Sequence, residues 1–274
     1  MAAAFKQYDI TDTEFNTFRD FIYDVAGIQL SNEKRTLVLA RLGKRLRHHN
    51  LNNFTEYFNQ YVNDPTNKER QACIDLLTTN ETYFFREPAH FDFLQKELKD
   101  ARIGPGQKYR IWSGASSSGE EAFSIAMVMN DILGSRPWEI VGTDISTQIV
   151  EKARTGHYLM NRLEGIPKRY LQEYCLKGTG KHDGTMLVTK KLRDRVEFMH
   201  ANLKGPIPNV GLFDMVFLRN VLIYFDNETK ALIIRNLVRH MKPGSYLLIG
   251  HSESLKNINS GLENISPSIY RVAK

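Results

Sequence analysis

Cysteine is scarce in this chain: two in 274 residues, Cys73 and Cys175. They stand far apart, in apolar or aromatic surroundings, which excludes a disulfide scaffold and reads as small buried hydrophobes in a reducing compartment. Long apolar runs are missing as well. No stretch approaches the roughly 18 to 20 consecutive apolar residues that a membrane span needs. The start, Met1-Ala2-Ala3-Ala4-Phe5-Lys6, lacks a charged region followed by an apolar signal core. The expected location is the cytoplasm, with no membrane insertion. The eight histidines are scattered apart from the adjacent pair His48-His49. No spacing places two ligands on one face, so no metal is expected. Internal repeats and low-complexity tracts are absent too.

What is present is a globular composition, 42% apolar and 11% aromatic, long enough for two domains. Lys and Arg number 37 against 31 Asp and Glu, a formal charge of +6, which favours an acidic partner. The excess is uneven. Lys34, Arg35, Arg41, Lys44, Arg45 and Arg47 fall in one stretch without an acid, while Leu39, Leu42 and Leu46 recur at helical spacing. This predicts an amphipathic helix whose basic face is either simply solvated or docks acidic protein or nucleic acid.

Residues up to about 78 read as helices, with Phe15, Phe18, Phe21, Ile22 and Val25 closed by Gly27, then Phe54, Tyr57, Phe58 and Tyr61 ended near Asp64-Pro65. From about Lys108 short strand-like runs alternate with helical ones: Tyr109 to Trp112, Glu139 to Gly142, Val196 to Met199, Met215 to Leu218 and Tyr246 to Ile249. That alternation predicts an open, mostly parallel α/β sheet. Between about 165 and 195, Gly178-Thr179-Gly180 and Asp183-Gly184 precede a β-prone Met186 to Thr189, which reads as a small antiparallel insertion.

The first strand runs into Ser113-Gly114-Ala115-Ser116-Ser117-Ser118-Gly119-Glu120-Glu121. Strand, small-residue loop, helix is the arrangement of a nucleotide-type site. A phosphate loop would need Lys and Ser/Thr where Glu120-Glu121 stand, a dinucleotide fingerprint needs glycine at Ser116, and a nucleophile elbow needs it at Ser118. The loop suits a nucleoside-like ligand that lacks phosphate and carries positive charge, as S-adenosylmethionine does. Asp144 closes the next strand about 25 residues on, where ribose hydroxyls bind. Its alternative is a helix cap, for which Ser146 is better placed.

Four segments then become specific: Thr78 through Asn80, Thr82 and Arg86 to Glu87; Ile111 through Glu120-Glu121; Phe213 through Arg219-Asn220 and Tyr224 to Asp226; and Gly250-His251-Ser252-Glu253. Together, in this order and over nearly the whole chain, they resemble the CheR family of chemotaxis receptor methyltransferases. The resemblance implies a class I S-adenosylmethionine-dependent methyltransferase with a Rossmann-like sheet. It also implies an all-helical receptor-recognition domain over 1–78 and a methyltransferase domain over 79–274, the β-subdomain insertion lying near 165–195. The implied reaction is transfer of methyl to glutamate carboxylates of chemoreceptor cytoplasmic helices, giving glutamyl methyl esters and S-adenosylhomocysteine. Carried over by position, Asn80, Thr82, Arg86, Glu120, Asp144, Asn202, Leu203, Arg219 and Asn220 contact the cofactor, and Arg86 and Tyr224 orient the reacting groups. The same likeness implies that the basic helix docks an acidic receptor helix, that in some members the β-subdomain takes a receptor C-terminal tail, and that the chain is a monomer.

Each residue also has a plainer reading. Asn80 or Thr82 can cap a helix, Tyr83, Phe84 and Phe85 can pack a core, and Arg86 can pair with Glu87 at the surface. Arg219 can be a solvated strand end, and Asp226 can cap a helix over Glu228 to Met241. Two other functions compete for the same residues. A nucleic-acid methyltransferase lacks its Asn-Pro-Pro-aromatic run, since Leu218-Arg219-Asn220-Val221 stands there. A non-catalytic cofactor-sensing adaptor would not need Arg86 and Tyr224.

Overall fold

The computed structural model describes residues 8–273. The chain divides into two compact units, one reaching to Thr79 and including Tyr224–Asp226, the other formed by Asn80–Ile223 and Asn227–Lys274.

The first unit is helical. Helix α1 (Asp12–Ala26) opens on a capping box between Thr11 and Glu14 and closes on left-handed Gly27. Helix α2 (Arg35–His48) buries Val38, Leu42 and Leu46, with Leu39 only half-buried. Helix α3 (Phe54–Tyr57) runs into a π turn, and α4 (Lys68–Leu77) closes the unit. Phe18, Phe54, Tyr57 and Phe58 stack edge and face at its centre.

The second unit begins with the irregular segment 80–87 and α5 (Pro88–Asp100). Then follow β1 (Tyr109–Gly114), α6 (Glu120–Leu133), β2 (Trp138–Asp144) and α7 (Thr147–Thr155). A small excursion holds β3 (His157–Leu159), α8 (Lys168–Tyr174), β4 (Cys175–Lys177) and β5 (Thr185–Val188). After α9 (Lys190–Arg193) come β6 (Val196–His200), β7 (Phe213–Leu218), α10 (Asn227–Val238), β8 (Met241–Ile249), β9 (Leu262–Ser266) and β10 (Ile269–Val272).

The main sheet has the order β6-β2-β1-β7-β8-β10-β9. Its first five strands are parallel, and β10 and β9 complete it antiparallel. The chain leaves β1 towards β2 and β6, then returns to β7 on the other side. That reversal opens a crevice at the carboxyl ends of β1 and β7, where such sheets bind ligands. The central strands are buried on both faces, and the Trp112 indole N–H of β1 donates to Thr143 Oγ1 of β2 at 2.9 Å.

The small sheet, ordered β3-β5-β4, starts at His157, earlier than the 165–195 expected. A three-residue strand carries too little alternation to be legible. Helix α10 ends at Val238 and Met241 already belongs to β8, so the helix expected to reach Met241 is shorter. Cys73 is buried and Cys175 half-buried, and both are free thiols; burial pushes the Cys175 thiol up to about 12.

Replacing Thr143 by Val keeps its shape and leaves the buried Trp112 N–H without an acceptor. Thr143→Val should therefore lower stability by about 1–3 kcal/mol, read as a lower urea midpoint at unchanged slope.

Candidate active site

Four loops converge on the crevice. The loop after β1 turns at Ala115 and Ser117, both with positive φ, and reaches α6 through Gly119. A Cβ on Gly119 would come within 3.0 Å of Phe198 and the Tyr158 hydroxyl, so a side chain cannot be accommodated. The Ser116 N–H donates to the Thr143 carbonyl, and the Ser117 N–H to Asp144 Oδ2 at 2.9 Å. Asp144 is buried at the end of β2, and its Oδ1 accepts from the Ser146 N–H at 3.0 Å. The cap of α7 is Ser146, not Asp144.

Segment 80–87 lies against this loop, because Ser117 Oγ donates to the Asn80 carbonyl at 3.0 Å. Asn80 and Thr82 sit in irregular backbone and cap no helix. Of the three aromatics here Phe84 is wholly buried, Phe85 is half-buried, and Tyr83 is exposed with Arg86 over its ring at 5.5 Å. The Arg86 guanidinium makes one long bond, 3.4 Å to the Glu81 carbonyl. Among the described residues no carboxylate pairs with it.

Glu87, its surface partner in the plainer alternative, pairs elsewhere. Its carboxylate holds Arg219 at 3.0 Å and Asn220 Nδ2 at 3.0 Å. Arg219 is no solvated strand end: it is buried and bridges Glu87, Glu121 Oε2 at 3.0 Å and the Arg86 carbonyl at 2.5 Å. Glu121 also accepts from Ser113 Oγ. Glu120 is fully buried, bonded to Ser118 Oγ at 2.6 Å and Arg162 at 3.0 Å. Arg162 reaches the Thr82 carbonyl too. Asn202 folds into a turn with the Lys204 N–H, and Leu203 is buried. A Cβ on Gly114 would lie 3.1 Å from Leu218 and 3.9 Å from Leu203, so glycine there leaves an apolar floor between them.

The structure thus gathers Asn80, Thr82, Arg86, Glu120, Asp144, Arg219 and Asn220 on loops joined by direct bonds, with Leu203 beside Gly114. Tyr224 belongs to the helical unit, where its carbonyl accepts from the Gln29 N–H at 2.9 Å. Its phenol lies close enough to Arg41 of α2 to bias that guanidinium electrostatically. Sequence reasoning missed Glu87 as the partner of Arg219, and it missed Arg162. It also missed that Glu87, His90 and His251, the last distant in the chain from the other two, bring ligand-type atoms within 4.8 Å of one another. The i, i+3 spacing of Glu87 and His90 on one helical turn was the available signal.

The donor set suits a group with a cation, vicinal hydroxyls and an apolar ring: carboxylates of Glu120 and Asp144, and the floor at Gly114. The comparisons decide which group. Residues 80–270 match the family description "CheR methyltransferase, SAM binding domain", and residues 13–78 match "CheR methyltransferase, all-alpha domain". The chain belongs to the CheR methyltransferase family. Its cofactor is S-adenosylmethionine. Relatives include the chemotaxis protein methyltransferases of Salmonella typhimurium and Escherichia coli, each 40% identical over 97% of this chain and 92% of the relative. That of Borreliella burgdorferi is 36% identical over 96% and 95%.

Titration around Glu87 follows from its partners. Burial would raise its carboxyl, but Asn220 and Arg219 hold it down to about 2. His90, buried beside cationic Arg219, falls to about 4. An unfolded histidine titrates near 6.5, so the unfolded chain takes up this proton first as pH drops. Stability should therefore fall between about pH 6.5 and 4, by at most about 3 kcal/mol from His90. Glu87 adds a loss only below about pH 4.5. His90→Asn should flatten the upper limb in a series of melting temperatures against pH; an undiminished slope would assign the limb to another group.

Proposed function

We propose that this family member transfers methyl from S-adenosylmethionine to glutamate carboxylates on the cytoplasmic helices of chemoreceptors, yielding glutamyl methyl esters. The observation that carries the reading is Arg86: a half-buried guanidinium at the crevice with no carboxylate partner among the described residues, beside a glutamate that pairs elsewhere. A planar fork left open this way suits a carboxylate, of substrate or cofactor.

When bound, S-adenosylmethionine supplies a methyl group activated by the adjacent sulfonium. A glutamate carboxylate is ionised at neutral pH, so no strong base is needed. What remains for the protein is to align oxygen with methyl and to exclude water without overstabilising the carboxylate. In this reading Asp144 takes the ribose hydroxyls, Glu120 the ammonium, Asn202 and Leu203 the adenine, and Asn80, Thr82, Arg219 and Asn220 complete the cofactor's surroundings. Arg86 and Tyr224 orient the reacting end.

Receptor docking falls to fewer residues of α2 than its sequence suggests. Arg41 donates to the Leu76 and Thr78 carbonyls at 2.9 and 2.7 Å, Arg45 pairs with Glu69, and Arg35 pairs with Asp12. Lys34, Lys44 and Arg47 are exposed and form the basic surface proposed to meet an acidic receptor helix. The small sheet leaves β4 as an edge with Leu176 exposed, the place proposed for a receptor tail. The protein is proposed to act as a cytoplasmic monomer.

The direct test incubates methyl-labelled S-adenosylmethionine with chemoreceptor-containing membranes and counts the methanol released by mild alkali. Alkali-labile label on receptor is expected; alkali-stable label on nucleic acid would replace the substrate. Within that assay Asp144→Ala should weaken S-adenosylhomocysteine binding about 10- to 100-fold, the loss of hydrogen bonds to a charged group. Tyr224→Phe should mainly lower kcat, and equal loss of binding in both variants would sink this division. Lys44→Glu with Arg47→Glu should raise the receptor KM in a salt-dependent way and leave the cofactor KM unchanged.

A further inference from the structure

The segment Gly250-His251-Ser252-Glu253 follows β8 and has no part in the roles above. Its carboxylate is nevertheless buried, and no Lys or Arg pairs with it among the described residues. Backbone N–H groups surround it instead. Glu253 Oε2 accepts from Gly250 at 2.6 Å and from Asn220 at 2.9 Å, and Oε1 accepts from Ile223 at 3.2 Å. The Leu222 N–H adds a fourth interaction. Three of the four donors lie in the turn that leaves β7.

That turn is held in an uncommon shape. Asn220 has φ 57°, in the left-handed region, a conformation that persists where the surroundings fix it. Glu253 fixes its backbone and Glu87 its side chain. Gly250 lies close against both partners, since a Cβ there would stand 2.6 Å from Asn220 Nδ2, 2.9 Å from Glu253 Oε2 and 3.0 Å from the Asn220 backbone nitrogen.

We infer that Glu253 is a positioning residue of the methyl-transfer site: through the N–H groups of Asn220 and Ile223 it sets the turn that presents Asn220. The inference rests on the reading that Asn220 contacts the cofactor.

A glutamine at 253 matches the size of Glu253 but aims an amide NH2 at an N–H donor whichever way it turns: at Asn220 and Gly250, or at Ile223. The test therefore measures binding of S-adenosylhomocysteine to the full-length protein by calorimetry, well below the unfolding transition, for Glu253→Gln and Asn220→Ala. Steady-state kinetics on receptor membranes accompany it. Glu253→Gln should weaken binding about tenfold, raise the cofactor KM and lower kcat, with the receptor KM unchanged. A purely structural role would lower the melting temperature and leave these constants alone. Gly250→Ala gives a second route to the same contact: its methyl would stand 2.6 Å from Asn220 Nδ2 and 2.9 Å from Glu253 Oε2, so it pushes the two groups apart and should shift the same two constants even where Glu253→Gln fails to fold.

Normal cofactor binding in both Glu253→Gln and Gly250→Ala, with Asn220→Ala weakened, overturns the positioning role. Unchanged binding in Asn220→Ala overturns the underlying assignment of Asn220 instead.

Discussion

The guanidinium of Arg219 is the constraint on which the site's geometry depends. It is buried at the end of β7, where an unpaired charge would be untenable, and it answers to Glu87, Glu121 and the Arg86 carbonyl together. Those partners come from two stretches, segment 80–87 and the first turn of α6, and Arg219 itself stands in a third, the turn after β7. Removing any one leaves buried charge behind, so the three are fixed relative to one another more firmly than loop packing alone would fix them. Because Glu87 is drawn to Arg219, Arg86 beside it has no carboxylate partner among the described residues.

Strain is concentrated around the same stretches. Among the described residues seven other than glycine have positive φ, and five of them, Phe85, Glu87, Ala115, Ser117 and Asn220, belong to the converging loops. Each would relax in an isolated peptide and persists because neighbours over-determine it. Ser117 is tied by its N–H to Asp144 and by its hydroxyl to the Asn80 carbonyl; Asn220 is tied to Glu253 and Glu87. Parallel strands buried on both faces supply the rigid frame against which this strain is held.

Much of this frame was readable in the residues. Strands β1, β2, β6, β7 and β8 showed as short apolar runs, and the loop after β1 declared itself through Gly114, Gly119 and the serines between them. Strands β9 and β10 did not, since Leu262–Ser266 is mostly exposed and lacks an apolar face. The ion cluster was illegible for a different reason. Nothing local in Arg219 distinguishes a solvated strand end from a buried bridge, because its partners lie 98 and 132 residues away. The basic helix misled in the same manner: seen alone it shows six cations, but Arg35, Arg41 and Arg45 are consumed by Asp12, backbone carbonyls and Glu69.

Charge balance then bears on the chemistry. Methyl transfer from a sulfonium to a carboxylate cancels charge, so free carboxylates beside the sulfonium would hold the ground state better than the transition state and slow the reaction. Four acidic side chains border this crevice, which at first sight is unfavourable. Their partners change the account: Glu120 is matched by Arg162, and Glu87 and Glu121 share Arg219. Burial further pushes the Glu121 carboxyl up, towards its neutral form. The Asp144 carboxylate is steadied by the N–H groups of Ser117 and Ser146, and its proposed task is at the ribose rather than at the reacting carbon. In the proposed reaction the ion pairs that hold the loops together also set cations against three of these four carboxylates, so the fold's stability and the site's electrostatics draw on the same contacts.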